Sequence, residues 1–212
     1  MRQARLKASD DHETAYYHVI SRVVKREFVL GEEEREQFVE MMRCYEHFCG
    51  VRVITYCVLS NHFHLLLAVP RRPETLPDDR ELPARAKALF SPQELGTLRW
   101  RLEHWHKTGA GAEADAPRAK VCRRMWDLGF YVKGLKQCFG GWLNRRGGRR
   151  GTLWEERFKE RADRGRRGAG YHRRLHRPEP GARGPRARPQ GLTLERLRSA
   201  TRRRAEGTEW PA

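Results

Sequence analysis

YCVLSNHFHLLLAVP, residues 56–70, decides how the rest of the chain is read. It continues a β-branched run that starts at Val51, breaks at Leu59-Ser60-Asn61, and resumes as a second apolar run from His62 to Pro70. Two such runs around a short break make an antiparallel hairpin. Side chains alternate along a strand, so His62 and His64 share one face. Phe63, Leu65 and Leu67 take the other, where helices would pack. Two imidazoles side by side on a rigid strand offer two nitrogen ligands to a divalent cation, with a third ligand to come from elsewhere. Such a cation acts as a Lewis acid on a phosphodiester oxygen. Taken alone the pattern is a weak signal, and most chance occurrences of it are two half-exposed histidines on a sheet face. His104 and His106 show how easily it arises: they flank Trp105 in a predicted helix, where i and i+2 do not share a face.

Working outward, residues 18–24 (HVISRVV) are β-branched and loosely alternating, which predicts a strand. Glu32, Glu33 and Glu34 then open a helix that carries Phe38, Met41, Met42, Tyr45 and Phe48 at i, i+3, i+4 spacing. Gly50 stands where a C-terminal helix cap belongs. Residues 71–116, rich in Pro, Ala and charge, read as a variable insertion with one helix at 92–106. A second amphipathic helix aligns Met125, Leu128, Val132, Leu135, Phe139 and Trp142 on one stripe. It leaves through NRRGGRRG (144–151), and TLWEERF (152–158) reads as a short strand or extended segment. Strand, helix, hairpin, helix predicts an α+β fold, with one antiparallel sheet and helices on one face.

The 212 residues fit one domain, 10–160, and a tail, 161–212. The net charge of +17 points to a polyanionic partner, but 15 Arg against five acids in the tail supply most of it. Arg, Gly, Pro and Ala make up 34 of the 52 tail residues, with no Lys, Ile, Val, Phe, Met or Cys. Such a composition cannot offset its ordering entropy, so a disordered basic tail is expected. A nucleic-acid arm normally mixes Lys with Arg. The absence of Lys fits GC-rich DNA translated out of frame instead. No apolar run is long enough for a membrane span, and the polar N-terminus does not read as a signal peptide. Five cysteines without CxxC spacing imply reduced thiols in a cytoplasmic protein, with Cys57 a buried, inert one.

Three runs carry a family resemblance: YYHVISRVVKREFVL (16–30), YCVLSNHFHLLLAVP (56–70) and LKQCFGGWLNRRGGRRGTLWEERFK (135–159). In this order they resemble single-tyrosine HUH transposases, in particular the REP-associated tyrosine transposases. The His-hydrophobic-His signature is matched by His62, Phe63 and His64. The resemblance implies a ferredoxin-like sheet with that motif on a central strand, and Mg²⁺ or Mn²⁺ as the metal. It implies a tyrosine that attacks a DNA phosphate, leaving a 5′-phosphotyrosyl link and a free 3′-hydroxyl. The implied substrates are single strands folded into hairpins. A bacterial-type cytoplasmic, nucleoid-associated protein, able to form a homodimer, is the expected setting.

The family's nucleophile lies beyond the GTLWEERF-like segment, in a stretch resembling AYIDLNPVRAGLV, and no such stretch follows here. Shifting the frame by one base, a permissible codon choice turns residues 161–185 into VLIEDGEALATIDAYIDLNPVRAGL. The lost tyrosine codon would straddle Leu175 and His176. Residues 193–197 can likewise become RWSGY, so a one-base frameshift close to Glu160 is expected. Tyr131 reads as core and Tyr171 falls in the out-of-frame tail, so no catalytic tyrosine is assigned.

Lys133, Lys136, Arg145, Arg146, Arg149 and Arg150 follow the second helix and its exit. They read either as a solvated face or as a phosphate clamp for a hairpin stem. Trp142 and Trp154 could stack on unpaired bases, although Trp142 on the apolar stripe reads as buried. Two further function classes share these features: a non-catalytic hairpin-binding protein, and a basic RNA-binding protein that needs no metal.

Overall fold

The computed structural model describes residues 13–108 and 111–163. Four strands form one antiparallel sheet in the order β2-β3-β1-β4, with β1 at Thr14–Arg22, β2 at Arg52–Val58, β3 at His62–Pro70 and β4 at Lys159–Asp163. Helix α1 (Glu32–Cys49) connects β1 to β2. Three helices, α2 (Glu81–Ala86), α3 (Pro92–Thr108) and α4 (Gly111–Cys122), lie between β3 and α5 (Leu128–Arg146), which leads to β4. This is the ferredoxin-like arrangement.

The hairpin forms as its sequence predicts. Val58 pairs with Phe63, and Leu59 N–H donates to the His62 carbonyl at 2.8 Å. Phe63, Leu65 and Leu67 are buried with Tyr17 and Val19 of the neighbouring strand β1 and with Val23 just beyond it. Against them α1 sets Phe38 and Met42, while α5 sets Val132, Leu135 and Phe139. Phe38 touches both the Phe63 ring (4.8 Å between centres) and the Phe139 ring (5.2 Å). Helix α1 ends at Gly50, φ 68°, the left-handed conformation that glycine adopts without a Cβ clash.

Several expectations change. The first strand is Thr14–Arg22 rather than 18–24, because Lys25 and Arg26 turn left-handed (φ 54° and 58°) and end the extension. Residues 152–158 form no strand and meet the sheet through an isolated bridge between Val23 and Trp154, the Glu155 N–H on the Arg22 carbonyl and the Trp154 ring on Phe63. Leu153 and Trp154 are both buried, and consecutive residues of a strand cannot both face one core. Within 71–116, more than one helix forms, and Leu82, Ala86, Leu98 and Leu102 enter the core. Met125 is buried but precedes α5, whose N-terminus is capped by Asp127 accepting from Phe130 N–H at 2.8 Å. Arg161, Ala162 and Asp163, expected to begin the disordered tail 161–212, instead end strand β4, whereas residues 164–212, including Tyr171, lie outside the described residues.

Candidate metal and nucleic-acid site

His62 and His64 emerge together on the sheet face opposite the helices, both half-buried. The sheet register determines what surrounds them. Arg22 lies opposite His62, Ile20 and Cys57 flank His64, and Leu66 lies opposite His18. His18 is therefore the diagonal cross-strand neighbour of His64, within reach of long side chains. Its Nε2 comes 3.0 Å from Nδ1 of His64. The ring centres are 5.2 Å apart and the planes differ by 19°. That spacing is what a 3.0 Å contact plus two ring radii amounts to. The imidazoles meet edge to edge in a hydrogen bond close to the ring planes, rather than face on face. Cys57, expected to be buried, instead sits half-exposed on this face because its strand is the sheet edge.

The turn before β3 fixes the other ring. Asn61 Nδ2 donates to the Arg26 carbonyl at 3.0 Å, which directs Oδ1 of the same amide at His62 Nδ1, 2.7 Å away. A carbonyl oxygen only accepts, so His62 Nδ1 carries the proton and Nε2 of the neutral ring carries the lone pair. The turn is tied down further by Val23 N–H on the Asn61 carbonyl (2.8 Å) and Leu30 N–H on the Ser60 carbonyl (2.9 Å). Burial, then the nearby His18, His62 and Arg22, pull His64 down to about 4. It is a neutral nitrogen donor at physiological pH. Two imidazoles on one open face fit a hard divalent cation only as part of a ligand set. Among the described residues no group of three or more His, Cys, Asp or Glu could hold a metal ion, so His62 and His64 would supply only part of a ligand set.

The basic residues of α5 and its exit do not form one surface. Lys133, Arg145 and Arg150 are exposed. Arg146 pairs with Glu33 and lies 5.4 Å over the Trp142 ring, and Arg149 pairs with Glu27. Lys136 points inward: only 7% exposed, its Nζ donates to the Glu156 carbonyl at 2.7 Å and lies over the Trp154 ring. It is removed from the exposed basic set. The tryptophans also exchange roles. Trp154 is buried with Nε1 donating to the Lys136 carbonyl at 3.0 Å, whereas Trp142 is half-exposed. Tyr131 is core, as expected, with its hydroxyl donating to the Met42 carbonyl at 3.2 Å.

Burial alone pulls Lys136 down to about 8. A base with a folded pKa below its unfolded value of ~10.4 binds fewer protons when folded. Its contribution to stability is complete above ~10.4 and is lost as pH falls to about 8. Relative to Lys136→Met, the natural chain should gain on the order of 1–2 kcal/mol between pH ~8 and ~10, allowing for the part of the ammonium that solvent reaches. Urea denaturation of both proteins checks this. The Cys44 and Cys49 thiols, raised to about 11 and about 12 by burial, cancel in the difference. Parallel pH profiles would place Lys136 in water.

Residues 11–75, which hold β1, α1, β2, β3 and the three histidines, match the family described as "Transposase IS200 like". No curated protein matches the chain. Among solved structures, a REP-associated tyrosine transposase bound to a REP hairpin aligns over 80% of this chain and 68% of its own, at 10% identity and TM-score 0.43. A protein from Deinococcus radiodurans R1 described as a transposase aligns over 82% of this chain and 95% of its own, at 16% identity and TM-score 0.35. By the segment that builds its histidine face, this chain is similar to the IS200-like transposases, the enzymes of DNA transposition.

Proposed function

We propose that this chain descends from a transposase that nicks and rejoins single-stranded hairpin DNA through a metal-assisted phosphotyrosine intermediate, and that the chain as it stands is impaired. The observation that carries the reading is the pair His62 and His64 on the open face of a ferredoxin-like sheet, inside the segment similar to IS200-like transposases. Mg²⁺ or Mn²⁺ held there would supply Lewis-acid stabilisation of charge on a phosphodiester oxygen. The protein's own contribution is positional. Asn61 holds His62 in one tautomer, the Phe63 side chain anchors the strand between the two rings, and Arg22 adds a positive charge beside them. The partner class proposed, hairpin DNA, is the one that the sequence resemblance to REP-associated tyrosine transposases implies.

The impairment follows from the missing nucleophile. Of the described tyrosines, Tyr131 and Tyr17 are buried, Tyr45 packs against the core, and Tyr56, exposed on edge strand β2, lies opposite the core-facing Leu65 and so off the histidine face. Tyr16 shares the histidine face of β1 but lies two residues beyond His18, away from the His62 end. Strand β4 supports the frameshift. Its edge positions opposite His18, Tyr17 and Tyr16 are Arg161, Ala162 and Asp163 in this chain. The shifted frame reads Val-Leu-Ile there, residues far better suited to a strand.

Restoring the frame at Glu160 and incubating each chain with a hairpin oligonucleotide and Mn²⁺ tests the proposal. A covalent protein–DNA band is expected for the repaired chain only. An adduct with the original chain would overturn the impairment, and its loss in Tyr16→Phe would locate the nucleophile. Hairpin binding without an adduct from either chain would favour the non-catalytic alternative. Lys133, Arg145 and Arg150 are the exposed cations available to a hairpin stem. Replacing all three with Ala should flatten the slope of log affinity against log salt by up to ~2–3, at ~0.7–0.9 per lost phosphate contact. Lys136→Met should leave that slope unchanged, and equal slopes for both variants would refute the clamp.

A further inference from the structure

The contact between His18 and His64 has a chemical direction, and the neighbouring pair indicates which. A neutral imidazole has one N–H and one lone pair, so whichever nitrogen donates determines what the other can do. If His18 Nε2 donated, His64 Nδ1 would accept and the single N–H of His64 would sit on Nε2, so that ring could not ligate a cation through Nε2. If His64 Nδ1 donates to His18 Nε2, His64 Nε2 carries the lone pair. His62 is already in the second condition, because Asn61 Oδ1 can only accept. Both motif histidines thus have Nδ1 turned to a protein partner, Asn61 for one and His18 for the other. They can present the same kind of nitrogen to one cation only if His18 accepts. Ile20, directly opposite His64, has no polar atom to take this place.

We infer that His18 is a positioning residue that holds His64 as the Nδ1–H tautomer, so that Nε2 is the nitrogen presented for a divalent cation. The inference rests on the reading of His62 and His64 as metal ligands. Ring nitrogens that bind metal characteristically have the opposite N–H held by an acceptor that fixes both tautomer and orientation, and loss of such a partner costs ~10–100-fold in metal affinity. What is unusual here is that the acceptor is a third histidine, supplied by β1 from 46 positions earlier in the chain.

Two readouts on the full chain test it. Long-range ¹H–¹⁵N spectra of the metal-free protein report the tautomer of each ring directly, with the His64 signals assigned through His64→Gln. His64 is expected as Nδ1–H in the natural chain, and as predominantly Nε2–H in His18→Leu. Mn²⁺ titration followed by electron paramagnetic resonance is expected to show at least ~10-fold weaker binding for His18→Leu. His18→Gln, whose amide oxygen can accept in place of Nε2, should restore both tautomer and affinity. If His18→Leu does not fold, His18→Gln alone decides, and an Nε2–H tautomer there overturns the inference. An Nε2–H His64 in the natural chain overturns it, as does an Nδ1–H His64 that survives in His18→Leu. Failure of the natural chain to bind Mn²⁺, with the tautomers as expected, removes the metal reading and leaves the role of His18 standing.

Discussion

Phe63→Ala is expected to remove about 3–5 kcal/mol of stability, the cost of deleting a fully buried aromatic whose surroundings relax only in part. Phe63 has no solvent exposure, and its ring meets Phe38 of α1 at 4.8 Å and Trp154 edge-on at 5.3 Å between centres. The side chain joins three elements: the central strand, the first helix and the segment leading to β4. Against a total of roughly 5–15 kcal/mol for a domain of this kind, the loss is a large fraction of the whole. The consequence reaches the opposite face of the sheet. His62 and His64 are the immediate neighbours of Phe63, and a strand that no longer seats its middle residue cannot hold their rings in register. Chemical denaturation monitored by tryptophan fluorescence measures the change, with Phe63→Leu as the milder comparison. A loss below about 1 kcal/mol would mean that β3 is not packed on α1 as described.

Replacement of His62 and His64 together by Ala is expected to abolish Mn²⁺ binding while leaving the fold intact. The two effects separate because the rings face away from the core: they are half-buried on the open side, and the packing is made by Phe63, Leu65 and Leu67. Affinity should fall by more than the ~100-fold that loss of an outer partner can cost, because both first ligands are gone. A second readout follows from linkage. A cation that binds only the folded chain raises stability by about 2.7 kcal/mol at a hundred times its dissociation constant. Mn²⁺ should therefore raise the melting temperature of the natural chain and not that of the double variant. Equal Mn²⁺-induced shifts in both proteins would show that the cation sits elsewhere and would remove the basis of the proposed chemistry.

The stability of the apo chain should itself respond to these rings. His64, held near 4 in the fold, takes up its proton well below the ~6.5 of an unfolded histidine. Its contribution to stability is complete above ~6.5 and is lost as pH falls toward 4. The cause is chiefly burial, with His18, His62 and Arg22 adding repulsion, so an acidic medium disfavours the assembled histidine face.

Local periodicity alone determined much of this protein. Alternation across residues 62–67 put His62 and His64 on one face and Phe63, Leu65 and Leu67 on the other. The i, i+3, i+4 spacing in α1, stopped by a left-handed Gly50, brought Phe38 and Met42 onto the same core. Such patterns are readable because the side-chain direction of a residue in a strand or helix depends only on its near neighbours. Only the tertiary structure decided what lies across the gap between strands. His18 was visible in the sequence of β1, but its meeting with His64 depends on β1 lying beside β3 and on a register in which His18 faces Leu66. A one-residue slip would turn His18 to the core side. The inward turn of Lys136 and the burial of Trp154 in place of Trp142 likewise follow from an irregular segment folding over α5, where consecutive residues enter one core and no periodic rule applies.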